Sequence, residues 1–181
     1  TLAGALASVK LHVPVAHVES GMRSFDMKMP EEINRVLTDH CAHFLFCPTK
    51  SAKKNLLNEG IGESKIYLVG DTLADATIYN IKIAEKHSDI LKTLEIKSKK
   101  YFLITIHRVS NVDEKENLTE ILKAIKTISE LYDIPVTFPI HPRTKKRVKE
   151  FELEKLLEID NVKVFEPVGY LDFLMLEKNA L

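Results

Sequence analysis

The sequence predicts an α/β protein with a parallel, doubly wound sheet in each of two domains. Short apolar runs typical of buried strands alternate with longer segments whose apolar residues recur at helical spacing. The run YFLITIH at 101–107 is apolar almost throughout, as is common for strands covered on both faces of a parallel sheet. A polar, lysine-rich stretch interrupts the alternation once, so we expect two domains, at 1–80 and 101–181, joined through 81–100.

The first domain begins with a helix-like pattern and then alternates strands with helices. Pro30 suits the first position of a helix, and the two acidic residues after it suit the positive end of the helix dipole. Thr49 or Ser51 can cap the next helix, which Gly60 ends. The expected helices span 2–11, 30–44, 51–60 and 74–95, and the expected strands span 13–18, 44–49 and 65–71. The apolar stripe expected to bury the second helix consists of Ile33, Val36, Leu37, Cys41 and Phe44.

The second domain repeats the same alternation. After the strand at 101–107, Asn111 or Asp113 is expected to cap an amphipathic helix. The next strand is expected at 134–141, followed by a helix at 144–158, a strand at 162–168 and a last helix from Tyr170. The apolar face of the amphipathic helix consists of Leu118, Ile121, Leu122, Ile125, Ile128 and Leu131.

Composition excludes several classes of function. Lysine plus arginine and aspartate plus glutamate both number 26, so no surface for nucleic acid is indicated. The apolar stretches are too short to span a bilayer, no signal peptide is visible, and the two cysteines form no CxxC motif. We therefore expect a cytoplasmic protein without membrane or nucleic-acid partners. The chain opens without Met in a helix and closes in one, which indicates an internal part of a larger protein.

Three predicted strands end in histidine, and an arginine lies close behind each. The pairs are His17 with Arg23, His107 with Arg108, and His141 with Arg143. Because ligands bind beyond the carboxyl ends of parallel strands, these side chains suggest a crevice for an anion. A metal site is the competing interpretation, although no short-spaced pair of His or Cys ligands occurs at these strand ends. A third interpretation is that each histidine only hydrogen-bonds its own loop.

Two carboxylates stand out as candidates for proton transfer. Glu19 follows the first strand, and Glu31 lies at a helix N-terminus with Arg35 one turn later. An i,i+4 pair of this kind is commonly surface decoration, but beside the strand-end groups it can also hold an acid–base carboxylate in place. Two acids in different environments suit a reaction in which one group removes a proton and another delivers one.

The signals for phosphate binding are weak. The GIG sequence at 60–62 follows a helix, so we interpret it as a turn and not as part of a dinucleotide-binding loop. The GDT sequence at 70–72 can touch phosphate or cap a helix, and the sequence favours capping. No Walker motif or GxSxG motif is present.

Five stretches in order carry a resemblance to a known family. They are HVESGMRS, PEEINR, GDTLADA, TIHRVSN and PIHP. Together they resemble the non-hydrolysing UDP-N-acetylglucosamine 2-epimerase family over nearly the whole chain. The related hydrolysing family is less similar, since it carries an HxEGGE stretch where this chain has HVESGMR. The resemblance implies two Rossmann-like domains of the glycosyltransferase-B type, both incomplete in this chain, with the site in the cleft between them.

The resemblance also implies a reaction and roles for residues. UDP-N-acetylglucosamine is converted to UDP-N-acetylmannosamine by elimination of UDP and its re-addition to a 2-acetamidoglucal, with no metal or other cofactor. Glu19, Glu31 and His107 take the acid–base positions, although His107 with Arg108 can instead serve the diphosphate. His141 matches a UDP-contacting histidine, and the remaining candidates for binding or positioning are Arg23 and Arg35. A cytoplasmic homodimer that supplies cell-surface polysaccharide synthesis is implied as well.

Three other hypotheses stay open on the sequence. A hydrolysing epimerase or a sugar-nucleotide transferase can use the same architecture, because a fold alone does not define a function. A non-catalytic UDP-binding fragment is the third, and we expect the 181 residues by themselves to be inactive.

Overall fold

The computed structural model describes residues 1–181, and the chain divides into two compact units, Thr1–Ala76 and Thr77–Leu181. Each unit contains one three-stranded parallel sheet. The strand order is β1-β2-β3 in unit 1 and β4-β5-β6 in unit 2, so each sheet follows the chain, with helices in the connections. This is the arrangement of one half of a doubly wound sheet, and it confirms the predicted α/β class.

Unit 1 is built around β2, its central strand. The elements are α1 (Leu2–Lys10), β1 (Ala16–Val18), α2 (Pro30–Cys41), β2 (Phe44–Cys47), α3 (Lys50–Asn58), a 3₁₀ turn (Glu63–Lys65), β3 (Ile66–Leu68) and α4 (Thr72–His87), which continues into unit 2. Ala16 pairs with Phe44, and Leu45 pairs with Ile66. The buried apolar core is small and consists of Ala42, Leu45, Cys47, Ala52, Leu56 and Ile66.

Unit 2 has a larger core around β5, whose four residues are all buried. Its elements are α5 (Ile90–Thr93), β4 (Phe102–Leu103), α6 (Val109–Val112), α7 (Lys115–Tyr132), β5 (Val136–Pro139), α8 (Pro142–Glu150), a 3₁₀ turn (Glu154–Leu156), β6 (Val162–Phe165) and α9 (Tyr170–Asn179). Leu118, Leu122 and Ile125 on α7 are buried against this sheet, as expected. Ile128 and Leu131 at the end of the same stripe are exposed.

Residues 81–100, the predicted connection between two domains, lie within unit 2. Ile90 and Ile96 are buried there in a cluster with Tyr101 and Leu176. Burial raises the pKa of the Tyr101 hydroxyl to about 12, and this hydroxyl donates to the Leu176 carbonyl. The abundant lysines of this stretch are exposed to solvent. They make the sequence look like a polar linker, although its few apolar residues pack into the unit.

Helix α2 begins at Pro30 as predicted, but its buried face is the polar one. Glu32, Thr38 and Asp39 are buried, whereas Ile33 and Leu37 from the expected apolar stripe are 39% and 46% exposed. The prediction of the stripe as the core face was therefore wrong. The reason is that the buried polar groups are satisfied by partners elsewhere in unit 1, which removes the cost of burying them.

The helix caps follow the sequence in part. Thr49 caps α3 by accepting from the Ala52 N–H at 3.1 Å, and Asp71 accepts from the first turn of α4, both as predicted. Helix α7 begins after Glu114, so neither Asn111 nor Asp113 caps it. Helix α8 starts two residues earlier and ends eight residues earlier than expected.

No helix of the chain combines the length and the apolar character that crossing a bilayer requires.

Candidate active site

The HVESGMR segment forms a tightly held turn after β1. His17 lies within β1, and Glu19 directly after it adopts a left-handed backbone conformation, with φ of 64°. Such a conformation is uncommon for a residue other than glycine and clusters at functional sites. The Glu19 side chain is exposed and accepts a hydrogen bond from the Thr72 hydroxyl at 3.3 Å. The turn therefore presents a carboxylate outward on a constrained backbone.

Gly21 is the residue that allows this turn to pack against α3. Its φ is +78°, and a Cβ atom there would lie 2.3 Å from the Ala52 carbonyl oxygen. Its carbonyl accepts from the Asn55 amide at 2.9 Å, while its N–H donates to Asp39 at 3.0 Å. No other residue type fits so close to the α3 backbone, which explains the glycine two positions after Glu19.

Arg23, expected from the sequence as a binding or positioning group, is turned into the protein. Its side chain is 1% exposed and forms ion pairs with Glu59 and Asp39, both at 2.7 Å. Burial alone would lower the pKa of the guanidinium, but the hydrogen bonds that it donates to Glu59 and Asp39 outweigh burial and raise the pKa. Direct contact with a substrate would require this network to open, so the structure shows Arg23 as a group that holds the turn.

Asp39 on α2 is the buried centre of this network. One carboxylate oxygen lies 2.5 Å from His17 Nδ1, and the other accepts from the Gly21 N–H and lies 2.7 Å from Arg23. Burial works to raise the pKa of Asp39, but the contacts with His17, Arg23 and Gly21 lower it overall. Asp39 therefore stays ionised, and it connects α2 to three positions of the turn.

The carboxylate that pairs with Arg35 is Glu32, and this corrects the expected pairing of Arg35 with Glu31. Glu32 is 1% exposed, lies 3.2 Å from Arg35, and accepts from the N–H groups of Ser24 and Phe25. Burial would raise the pKa of Glu32, yet these donors lower it to about 2. Arg35 pairs with Glu32 because the segment at 24–25 folds back over the start of α2. Its N–H groups hydrogen-bond Glu32 and not Glu31, and so they hold the Glu32 carboxylate in place.

Glu31 instead lines an open polar depression of about 260 Å³ on unit 1. The other lining residues are Thr1, His17, Asn34, Arg35 and Thr38. The depression thus brings together a carboxylate, a guanidinium and an imidazole from the predicted set of strand-end and helix-start groups. Glu19 is not among the lining residues and stands on the neighbouring turn.

Unit 2 brings its two candidate histidines together. The rings of His107 and His141 lie 5.7 Å apart between centroids, and both residues are exposed. His141 caps α8, since its Nδ1 accepts from the Arg143 N–H at 3.1 Å. With Nδ1 used as an acceptor, the proton of the neutral ring lies on Nε2, which can donate to a ligand oxygen. Arg108 is exposed beside His107, at the N-cap of α6.

Arg143, the third strand-end arginine, is held by Asp113. Asp113 accepts from Arg143 at 3.0 and 2.5 Å and from Arg147 at 3.1 Å. These hydrogen bonds lower the pKa of Asp113 to about 2. The pair ties the α6–α7 connection to α8, and it leaves Arg143 less available to an anion than Arg108.

Sequence reasoning missed three residues of unit 1 that organise the site. Asp39 and Glu32 are seven residues apart and therefore share one face of α2, and that spacing was the available signal. Glu59 lies at the end of α3 and gave no signal before the fold was known. No group of three or more His, Cys, Asp or Glu side chains is placed to hold a metal ion.

The chain is similar to known proteins in both sequence and fold. A sequence model of the family described as UDP-N-acetylglucosamine 2-epimerase matches residues 1–181. The UDP-N-acetylglucosamine 2-epimerase of Methanocaldococcus jannaschii is 57% identical over 182 residues, which cover 99% of this chain and 50% of the relative. The UDP-2,3-diacetamido-2,3-dideoxy-D-glucuronate 2-epimerase of Pseudomonas aeruginosa is 43% identical over 184 residues, covering 100% of this chain and 49% of the relative.

A solved structure extends the similarity to three dimensions. The crystal structure of the M. jannaschii UDP-GlcNAc 2-epimerase in complex with UDP-GlcNAc and UDP superimposes with a TM-score of 0.89 over 99% of this chain and 50% of that one. The chain thus has the α/β architecture of the glycosyltransferase-B type and spans about half the length of the curated relatives it matches. It belongs to the UDP-N-acetylglucosamine 2-epimerase family.

Proposed function

We propose that the protein to which this chain belongs interconverts UDP-N-acetylglucosamine and UDP-N-acetylmannosamine without net hydrolysis. The observation that carries the proposal is the pair of accessible carboxylates, Glu19 and Glu31, on a frame that includes the buried ion pair of Arg23 with Asp39 and the buried carboxylate of Glu32. Glu19 is presented by a left-handed turn, and Glu31 shares a polar depression with Arg35 and His17. Membership of the epimerase family supports the same assignment.

Inversion at carbon 2 requires a base to remove a weakly acidic proton and an acid to return one to the opposite face. A carboxylate performs either task best when it is fixed relative to the substrate. Glu19 and Glu31 lie on separate elements, the β1–α2 turn and the first turn of α2, and Asp39 and Glu32 tie these elements together. We assign proton transfer at carbon 2 to these two carboxylates.

Departure of UDP leaves negative charge on the diphosphate, which needs hydrogen-bond donors and cations. In unit 2 the Nε2–H of neutral His141 is such a donor, and Arg108 is an exposed cation close in sequence to His107. We assign His141 and Arg108 to the diphosphate. His107, whose ring lies beside that of His141, either serves the same group or protonates it as it leaves.

The test is exchange of the carbon 2 hydrogen in heavy water, using the full product of the gene. Deuterium at carbon 2 of both epimers, without accumulation of free UDP, is the expected result. Free UDP together with free N-acetylmannosamine would assign the hydrolysing reaction instead. Binding of UDP without any exchange would indicate a nucleotide-binding protein without epimerase activity. Exchange confined to the diacetamido-glucuronate substrate of the Pseudomonas relative would show that the substrate is that sugar nucleotide and not UDP-N-acetylglucosamine.

Two further features of the proposal concern the whole protein. A cytoplasmic location is proposed because both cysteines are free, as is usual in a reducing compartment. A homodimer is proposed on the resemblance to the family, and light scattering of the full gene product measures it directly.

A further inference from the structure

His17 lies within the candidate site, yet the proposed mechanism does not use it. Its side chain is 14% exposed, and it lines the depression that contains Glu31 and Arg35. Its Nδ1 atom is 2.5 Å from a carboxylate oxygen of Asp39, which is fully buried. Because Asp39 occupies Nδ1, Nε2 is the ring nitrogen left for a ligand in the depression that His17 lines.

The contact with Asp39 determines which nitrogen carries the proton. An ionised carboxylate only accepts hydrogen bonds, so the proton between the two groups belongs to His17 Nδ1. In the neutral ring, Nε2 is then an unprotonated acceptor.

Asp39 is itself held in one orientation, which makes the arrangement rigid. Its second oxygen is bound by the Gly21 N–H at 3.0 Å and by the Arg23 guanidinium at 2.7 Å. Rotation of the carboxylate away from His17 would break both of these contacts. The imidazole is therefore fixed by a buried group that has no freedom to turn, as pre-organised site residues require.

We propose that His17 is a further active-site residue that presents Nε2 as an acceptor to a hydroxyl or amide N–H of the sugar, and that Asp39 is the positioning residue that sets this tautomer. The mirror arrangement occurs at His141, where Nδ1 accepts from a backbone N–H and Nε2 carries the proton. The two histidines thus offer opposite chemistry to a ligand: His17 accepts, and His141 donates. The inference rests on the proposed function for the identity of the sugar, but the state of the His17 ring does not.

The ring state is tested first, by ¹⁵N NMR of the imidazole nitrogens in the full gene product. We expect the Nδ1–H tautomer at neutral pH and a change in the Nε2 resonance when UDP-N-acetylglucosamine is added. Asp39→Asn should reverse or mix the tautomers, because an amide can offer its NH₂ group to Nδ1. Glu59→Gln is the matched control: it removes another charge from Arg23 but should leave the His17 tautomer unchanged. An Nε2–H ring or an imidazolium in the unsubstituted protein would overturn the proposal.

Two substitutions of His17 then separate an active-site role from a structural one. The amide of His17→Asn lies where Nδ1 was and still donates to Asp39, but it has nothing at the position of Nε2. The amide of His17→Gln reaches the position of Nε2 and leaves Asp39 without its donor. Loss of a hydrogen bond to substrate predicts a fall in kcat of about 10- to 100-fold for His17→Asn, with a smaller loss for His17→Gln. Near-normal kcat in His17→Asn with a severe loss in His17→Gln would show a purely structural role.

The readouts separate this inference from the proposed function. If the unsubstituted protein exchanges no deuterium at carbon 2, the epimerase proposal fails, and the NMR measurements still decide the tautomer of His17. If the protein exchanges deuterium and His17→Asn does so equally fast, only the inference about His17 fails.

Discussion

The two units use the same ion-pair chemistry at different depths. In unit 1 the side chains of Arg23 and Asp39 are 1% and 0% exposed, and they lie under the turn that carries Glu19. In unit 2 the side chains of Arg143 and Asp113 are 43% and 21% exposed, and they lie beside His141 on the surface. A buried pair that loses one member leaves an uncompensated charge, whereas a surface pair is replaced by water. Similar contacts therefore carry different energetic weight in the two units.

The apolar core is larger in unit 2, although the more deeply buried ion pair lies in unit 1. Six buried residues form the main core cluster of unit 1, while eleven form that of unit 2. Few apolar contacts in unit 1 hold the elements in place, so the buried charges of α2 fix the position of the turn that carries Glu19. In unit 2 the sheet and α7 provide a packed base, and the His141 ring is held by the hydrogen bond that it accepts from the Arg143 N–H.

The largest expected effect concerns catalysis. Glu19→Gln keeps the shape of the turn but removes the carboxylate to which we assign proton transfer, and it should lower kcat by about 10²- to 10⁴-fold. His141→Asn retains an N-cap for α8 but loses the Nε2–H donor, and it should mainly raise KM, by about 10-fold or more. Steady-state kinetics of both variants tests whether Glu19 of unit 1 supplies chemistry and His141 of unit 2 supplies binding. Equal losses of kcat in both would break this division.

The next effect is on stability and compares two arginines. Arg23→Met leaves Asp39 and Glu59 without their cation and should destabilise unit 1 by about 3–5 kcal/mol. Arg143→Met is the matched control in unit 2, where water can replace the exposed guanidinium, so its effect should be small. Hydrogen exchange resolved by peptide measures each unit separately. Similar loss of protection in the two variants would contradict the distinction between buried and exposed pairs.

The smallest effect concerns pH and compares two carboxyl groups whose pKa values are both about 2. Glu32 and Asp113 have pKa values lowered from 4.5 and 3.8, so each contributes stability that is complete above the unfolded pKa and is lost as the pH falls toward about 2. For buried Glu32 the shift sets a ceiling of about 3 kcal/mol. Urea unfolding between pH 7 and pH 3 should show that Glu32→Gln removes much of the acid dependence.

Asp113→Asn is the control for that measurement, because solvent screens its contacts with Arg143 and Arg147. It should change the acid dependence much less than Glu32→Gln does. An equal change in the two variants would mean that burial does not decide the energetic weight of these hydrogen bonds.

Local signals predicted the secondary structure well where one residue decided it. Pro30 starts α2, Thr49 caps α3 and Asp71 caps α4, since each effect depends only on neighbours along the chain. The buried face of α2 was predicted wrongly because the prediction followed the apolar residues and assumed that polar residues face the solvent. Glu32 and Asp39 are buried because their partners come from β1 and from the segment between β1 and α2, which no local pattern specifies.

The sequence by itself determined the α/β class, the parallel sheets and the motifs that place the chain in its family, because these follow from periodicity, caps and short strings of residues. Only the tertiary structure decided which carboxylate faces the depression and which is buried, that Arg23 is a support for the turn, and that Asp39 fixes the His17 ring. The physical reason is that burial and hydrogen-bond partners belong to pairs of residues far apart in the chain. A charge in a sequence has no environment until the fold supplies one.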